Sequence, residues 1–112
     1  MSFIKGLDTV KKEGYTVIKL PHLLNQDNFL EIEEEIESSM AGYRKTIAID
    51  LSECANIFSM LITMIIHIRK KVMEAGGELC LVNVSINGQQ QLKAMNLDMI
   101  LTMYDSEEEI DV

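Results

Sequence analysis

Side chains able to do chemistry are few and widely spaced in this 112-residue chain. Its cysteines are Cys54 and Cys80, and its histidines are His22 and His67. His67 follows Ser59 by two helical turns, about 12 Å along a helix axis, and no acid is placed to orient it as a base. Cys80 lies in an apolar stretch typical of a buried structural thiol. No cysteine or histidine spacing matches a metal site, so we expect no metal and no cofactor. Because no nucleophile, base and orienting acid come together, we also expect no catalytic centre.

The composition excludes several classes of function. The formal net charge is −8 and the pI is about 4.6, so nucleic acid is an improbable partner and a basic protein is a better one. No uninterrupted apolar run reaches the roughly 20 residues of a membrane span, and the first six residues lack the apolar run of a signal peptide. Two cysteines without an export signal favour a reducing compartment. We therefore expect a cytoplasmic protein without direct membrane insertion.

The most informative stretch is a strand, a turn and a helix at the centre of the chain. Residues 46–51 are β-rich and almost wholly apolar, as in a strand covered on both faces. Residues 52–58 are irregular, and residues 59–75 have helical periodicity that ends at Gly76-Gly77. Another apolar strand follows at residues 78–83. Such a βαβ unit binds ligands or partners beyond the carboxyl ends of its strands, so we expect the functional site in the turn before the helix.

The flanking segments supply further predicted elements. They are strands at 7–12 and 15–20 joined by Glu13-Gly14, a helix at 28–40, a helix at 86–95 capped by Ser85, a strand at 100–103, and after Ser106 either a helix or an acidic tail. The sequence thus predicts one α/β domain over residues 1–112. Its mixed central sheet has about four to five strands and three to four helices, in the order β-β-α-β-α-β-α-β.

Two surfaces of the predicted helices have a specific interpretation. In the central helix an apolar arc runs from Leu61 to Met73 beside a polar stripe that includes Thr63 and His67. Met60 is expected at the edge of the stripe and Met64 between the two faces, so that a methionine side chain lies near water as an interaction surface or is partly buried under the turn. In the 28–40 helix the glutamates form either a solvated face or an acidic docking surface for a basic partner.

From residue 47 to residue 101 the chain resembles a STAS domain, the fold of sulphate-transporter cytoplasmic domains and anti-sigma factor antagonists. Ile49-Asp50-Leu51-Ser52 is similar to the family's strand before its functional loop. Ala75-Gly76-Gly77-Glu78-Leu79 is similar to its helix end, and Gln89-Gln90-Gln91-Leu92 is similar to its third helix. A domain of this length resembles the anti-sigma factor antagonist branch, which implies a bacterial regulatory protein.

The resemblance implies a phosphorylation site at Ser59. In the family a loop reading Asp-Ser-Ser/Thr-Gly-Leu places a serine at the amino end of a helix, where a partner kinase phosphorylates it. Ser59 falls on that serine, but Phe58 replaces the aspartate, Met60 the second hydroxyl and Leu61 the glycine. A helix amino end favours phosphate, and the added charge can repel a docked partner. The alternative is that Ser59 only caps the helix, a position that serine favours.

An earlier loop also departs from the family, with His22 where glycine is frequent and Asn25 where aspartate is frequent. The resemblance implies that both loops meet the partner. The predicted partner-binding residues are Asn25, Asn56, Phe58, Ser59, Met60 and Thr63.

Two functions follow from this resemblance. The first is an antagonist that binds an anti-sigma factor or serine-kinase-type protein and is regulated by phosphate on Ser59. The second is an unphosphorylated scaffold subunit of a larger signalling or membrane lipid-transport assembly. A second copy of the chain is a further candidate partner.

Overall fold

The computed structural model describes residues 8–12, 14–20, 30, 34, 46–54 and 59–110. Five strands and two α-helices have described bounds. They are β1 (Asp8–Lys12), β2 (Tyr15–Lys19), β3 (Thr46–Asp50), α1 (Ser59–Glu74), β4 (Glu78–Val82), α2 (Ile86–Ala94) and β5 (Thr102–Tyr104). The predicted helix at 28–40 lies outside the described residues except for Leu30 and Glu34, both of which are helical and exposed.

The strands form one mixed sheet whose spatial order is the order of the chain. β1 pairs antiparallel with β2 across the turn at Gly14, whose φ is +92°. The pairs β2–β3, β3–β4 and β4–β5 are parallel. Parallel neighbours need a crossover connection, and α1 and α2 supply those before β4 and β5. The carboxyl ends of four strands therefore meet at one edge of the sheet.

The helix-covered face of the sheet holds the larger core cluster. Ile18, Ile49 and Leu81 point to this face and are fully buried. They pack with one stripe of α1, formed by Leu61, Met64, Ile65, Ile68 and Val72. Met64 is buried, so its predicted place between the apolar and polar faces was wrong. Met64 is three residues after Leu61 and four before Ile68, and this spacing sets it at the centre of the buried stripe.

The α1 helix ends as the sequence predicted. Gly76 has φ +84°, its N–H donates to the Met73 carbonyl at 3.0 Å, and the Gly77 N–H donates to the Val72 carbonyl at 2.8 Å. These two bonds form a Schellman motif, which satisfies carbonyls that the helix end leaves without partners. The chain then enters β4 at the edge opposite the start of α1.

The α2 helix also begins as expected, because Ser85 Oγ accepts a hydrogen bond from the Gly88 N–H at 2.9 Å. Asn96 is left-handed, with φ +59°. After it, Leu97–Met99 is a short 3₁₀-helix. The last strand is Thr102–Tyr104 rather than 100–103, because the Ile100 and Leu101 N–H groups both donate to the Leu97 carbonyl and belong to that turn.

The opposite face of the sheet carries a smaller apolar cluster of Val17, Ala48, Cys80 and Val82. Ile110 packs against it, after a 3₁₀-helix at Glu107–Glu109. The residues after Ser106 therefore include a short helical turn, in which Glu109 Oε1 accepts from the Asp105 N–H at 2.7 Å.

Candidate functional site

The carboxyl ends of β2, β3 and β4 and the start of α1 form one surface, called the carboxyl rim. Its described residues are 19–20, 50–54, 59–63 and 83–85. The chain leaves β3 at this edge, α1 runs back for 16 residues, and β4 begins at the other edge. At about 1.5 Å per residue α1 is long enough to cross the whole sheet. The amino end of α1 therefore lies at the rim.

Asp50 ties the rim together. Asp50 is 8% exposed, and its Oδ1 accepts from the Ser52 N–H at 2.8 Å. Its Oδ2 accepts from Asn83 Nδ2 at 3.1 Å, and Asn83 is left-handed with φ +56°. A buried carboxylate needs such partners, since burial without them is costly. The carboxylate of Asp50 thus fixes both the turn after β3 and the end of β4.

The chain after Asp50 makes a tight turn whose tip faces solvent. The Cys54 N–H donates to the Leu51 carbonyl at 2.9 Å, and both flanking side chains are buried. Ser52 and Glu53 between them are exposed. Lys19 Nζ lies 3.7 Å from Glu53 Oε1, a solvated ion pair of small energy. The turn presents one hydroxyl and one carboxylate on a rigid base.

Cys54 is placed to pack rather than to react. It is buried, and burial raises the pKa of its thiol, with Glu53 and then Asp50 adding repulsion of the thiolate. Because the thiolate is the nucleophilic form, this environment opposes covalent chemistry at Cys54. No group of three His, Cys, Asp or Glu among the described residues is arranged to hold a metal ion.

The start of α1 brings together three of the predicted site residues. Ser59 and Met60 are the first two residues of the helix, and Thr63 follows one turn later as an exposed residue. Ser59 and Thr63 share a helix face because they are four residues apart. Asn25, Asn56 and Phe58 lie outside the described residues.

Leu61, which stands where the family pattern has glycine, is fully buried in the core. It belongs to the cluster that contains Ile49 and Leu81. The substitution therefore anchors the first turn of α1 to the sheet. Glycine at this position would supply no such contact.

The polar stripe of α1 is exposed as predicted from the helical spacing. Thr63, His67, Lys70 and Glu74 are all exposed. In the predicted apolar arc, Ile66 and Met73 are also exposed, so the arc is narrower than expected. No helix within the described residues is long and apolar enough to cross a membrane.

Sequence reasoning missed the positioning role of Asp50 and Asn83. Asp50 is an acid at the end of an otherwise apolar strand, Thr46–Asp50, and that pattern could have indicated it. A buried acid requires donors, and the nearest donors in sequence lie in the following turn. Asn83 gave no local signal, because it meets Asp50 only through the pairing of β3 and β4.

Comparison with protein-family models identifies the family of this chain, because the STAS domain model matches residues 6–110. The chain belongs to the STAS family. Comparison with curated proteins gave no significant match.

Solved structures share the STAS fold at low identity. TM1081 of Thermotoga maritima has a TM-score of 0.83 and 21% identity, over 97% of this chain and 88% of that one. The unphosphorylated anti-sigma factor antagonist SpoIIAA, a Bacillus protein, has a TM-score of 0.75 and 18% identity, over 95% and 94%. A variant of RsbS from Moorella thermoacetica has a TM-score of 0.78 and 18% identity, over 94% and 91%.

Proposed function

We propose that this STAS domain is a cytoplasmic regulatory protein of the anti-sigma factor antagonist type. It binds an anti-sigma factor or serine-kinase-type protein through the carboxyl rim. The observation that carries this proposal is the position of Ser59 as the first residue of α1, at the rim of a STAS fold. The role is regulatory and requires no reaction catalysed by this chain.

The fixed geometry of the rim supports a protein-binding role. Asp50 holds the turn through Ser52, and Leu61 holds the first turn of α1, so these two described parts of the rim are preorganised. Preorganisation lowers the entropy that a binding surface loses on association. Ser52, Glu53 and Thr63 are exposed and supply the polar groups that the rim of a protein interface usually contains.

Phosphate on Ser59 would regulate this binding. The first N–H groups of a helix lack partners within the helix, and together with the helix dipole they favour a phosphate there. The modification adds nearly two negative charges to a rim that already contains Asp50 and Glu53, on a chain whose net charge is −8. A partner docked on the unmodified rim would then meet an acidic surface. SpoIIAA has been solved in phosphorylated and unphosphorylated forms.

The first experiment identifies the partner. The protein is used to capture binding proteins from cells of its source, mass spectrometry names them, and the purified candidate is tested by calorimetry. Met60→Asp is expected to abolish binding while the circular dichroism spectrum stays unchanged. Met99→Asp is the matched control, since Met99 is 81% exposed and lies in the turn after α2, away from the rim. Equal affinity of both variants would remove the rim from the proposal.

The second experiment locates the phosphate. Incubation with the partner kinase and ATP is expected to modify Ser59 alone, and Ser59→Ala to abolish the modification while preserving binding. Ser52→Ala is the control, because Ser52 is an exposed serine of the same rim. Phosphate on Ser52 or Thr63 would contradict the assignment.

A scaffold role is the second candidate. RsbS and the stressosome, described as a signal integration and transduction hub, are among the structures that share the fold. The family's phosphorylation loop also differs in this chain. Its aspartate, second hydroxyl residue and glycine are replaced by Phe58, Met60 and Leu61, respectively, which favours a role without phosphate. In a scaffold of a signalling or lipid-transport assembly, Ser59→Glu would leave partner binding unchanged. In the antagonist it would weaken binding by about tenfold or more.

A further inference from the structure

A pocket of about 220 Å³ opens at the amino end of the parallel strands, at the edge opposite the carboxyl rim. The first residues of three strands, Thr46, Glu78 and Thr102, line it. Met73, in the last turn of α1, lines it as well. The pocket is therefore separate from the surface proposed to bind a protein.

The short last strand creates this pocket. β5 has three residues, and its pairing with β4 begins at Cys80 and Thr102. Glu78 and Leu79 consequently have no neighbour in β5, although both belong to β4. The chain turns away through Ile100 and leaves a gap beside the start of β4.

The walls combine apolar and polar side chains and contain one cation. Leu79 is buried, and Met73 and Ile100 are about half exposed and line the mouth. Arg69 is the one lysine or arginine among the described residues that line the pocket, and it is half-buried. Its Nε donates to the Ile100 carbonyl at 3.1 Å, which fixes the plane of the guanidinium. The two Nη groups carry its remaining donors.

The pocket also contains one acid, Glu78, which is exposed. An exposed carboxylate is hydrated and screened, so it contributes little to binding. Arg69 is less exposed than Glu78, and the geometry of its guanidinium suits a carboxylate. Arg69 therefore favours a ligand with a negative charge. A single guanidinium matches one negative charge better than the nearly two of a phosphate monoester.

We propose that this pocket binds a small aliphatic carboxylate. The carboxylate lies on the Arg69 guanidinium and the chain lies against Leu79, Met73 and Ile100. The volume suits a small ligand, since an apolar cavity of about 150 Å³ holds benzene and pockets for drug-sized molecules start near 300 Å³.

Hexanoate is the probe, and the wild-type protein is titrated with it while backbone amide shifts are followed by NMR. Saturable shifts are expected at Gly77, Leu79 and Thr102. Hexan-1-ol and hexylamine are the matched ligands, with the same chain and no carboxylate. Both are expected to bind at least about tenfold more weakly, because they lose the charge-assisted hydrogen bonds to Arg69.

Two variants and a control test the role of charge. Arg69→Gln is expected to weaken hexanoate binding by about tenfold or more, and Glu78→Gln to strengthen it by about twofold. Lys70→Gln removes the same charge from the next residue of α1, which is exposed, and should leave affinity within about twofold. Amide shifts that retain their dispersion establish that each variant is folded.

Three results would overturn the proposal. They are the absence of saturable shifts with hexanoate, equal or tighter binding of hexylamine or hexan-1-ol, and weaker binding of hexanoate to Glu78→Gln, which would mean that Glu78 does not repel the bound carboxylate. The titration uses neither Ser59 nor a protein partner. Its failure would therefore leave the proposed function untouched.

Discussion

Polar side chains have different environments at the two ends of the parallel sheet. At the carboxyl rim, the buried Asp50 joins the turn after β3 to Asn83 through two hydrogen bonds. At the amino end, Arg69 and Glu78 line a pocket whose walls combine apolar and polar side chains. The described turn at the carboxyl rim is held by internal hydrogen bonds, whereas the amino end has a pocket lined by two charged groups. The proposed protein interface and the proposed small-molecule site therefore lie at opposite ends of the sheet.

The largest expected effect is loss of the Asp50 carboxylate. Asp50→Ala leaves the Ser52 N–H and the Asn83 amide without their acceptor and should lower the free energy of unfolding by about 2–4 kcal/mol. Asp50→Asn retains one acceptor and should cost less. Glu78→Ala, an exposed acid at the amino end, is the control and should change stability by less than about 0.5 kcal/mol. Equal decreases in unfolding free energy for Asp50→Ala and Glu78→Ala, measured by urea denaturation, would contradict the difference between the two ends of the sheet.

A second effect appears only at high pH and concerns Cys80. Burial raises the pKa of its thiol from 9.0 to about 11, and Glu78 contributes. Because the folded pKa is the higher one, the neutral thiol favours the folded state, and this stability is complete below pH 9 and is lost as pH rises through 11. The loss approaches about 2–3 kcal/mol.

The Cys80→Ala variant isolates this effect. At pH 7.5 the variant is expected to have a lower free energy of unfolding than wild type. This difference should shrink between pH 9 and pH 11, because only wild type loses the contribution of the neutral thiol. Lysine and tyrosine titrations occur in both proteins and cancel in the difference. A constant difference across this range would contradict a raised pKa at Cys80.

The end of α1 gives a smaller effect. Gly76 has φ +84°, and a Cβ there would meet no atom within 4 Å. Gly76→Ala should therefore lower the free energy of unfolding by about 1 kcal/mol, the cost of a left-handed backbone for alanine, with no steric clash added. Asn96→Gly is the complementary change, since Asn96 has φ +59°, and it should be neutral or slightly stabilising. A neutral Gly76→Ala would mean that this turn can relax.

The smallest effect belongs to the ion pair on the rim. Glu53→Gln breaks the 3.7 Å contact with Lys19, whose side chain is 36% exposed. The change in unfolding free energy should stay below about 0.5 kcal/mol and vanish in high salt, because exposed pairs are screened. A larger loss that persists in salt would give Glu53 a structural role like that of Asp50.

Local sequence signals predicted the elements whose causes are local. The strand pattern of Tyr15–Lys19, the Ser85 cap and the glycine stop after α1 all depend on neighbouring residues, and each is confirmed. Met64 was misplaced because its burial depends on which side of α1 faces the sheet. The link from Asp50 to Asn83 joins residues 33 positions apart, and the pocket results from the length of β5. Such features follow from strand pairing rather than from local pattern.

The central claim is that the carboxyl rim binds a regulatory protein partner. It is tested most directly by recording backbone amide shifts of the protein with and without its purified anti-sigma factor or kinase partner. The account predicts changes concentrated at residues 52–53, 59–63 and 83–85, with Thr46, Gly77 and Thr102 unaffected. Changes confined to the amino end of the sheet, with the rim unaltered, would contradict it.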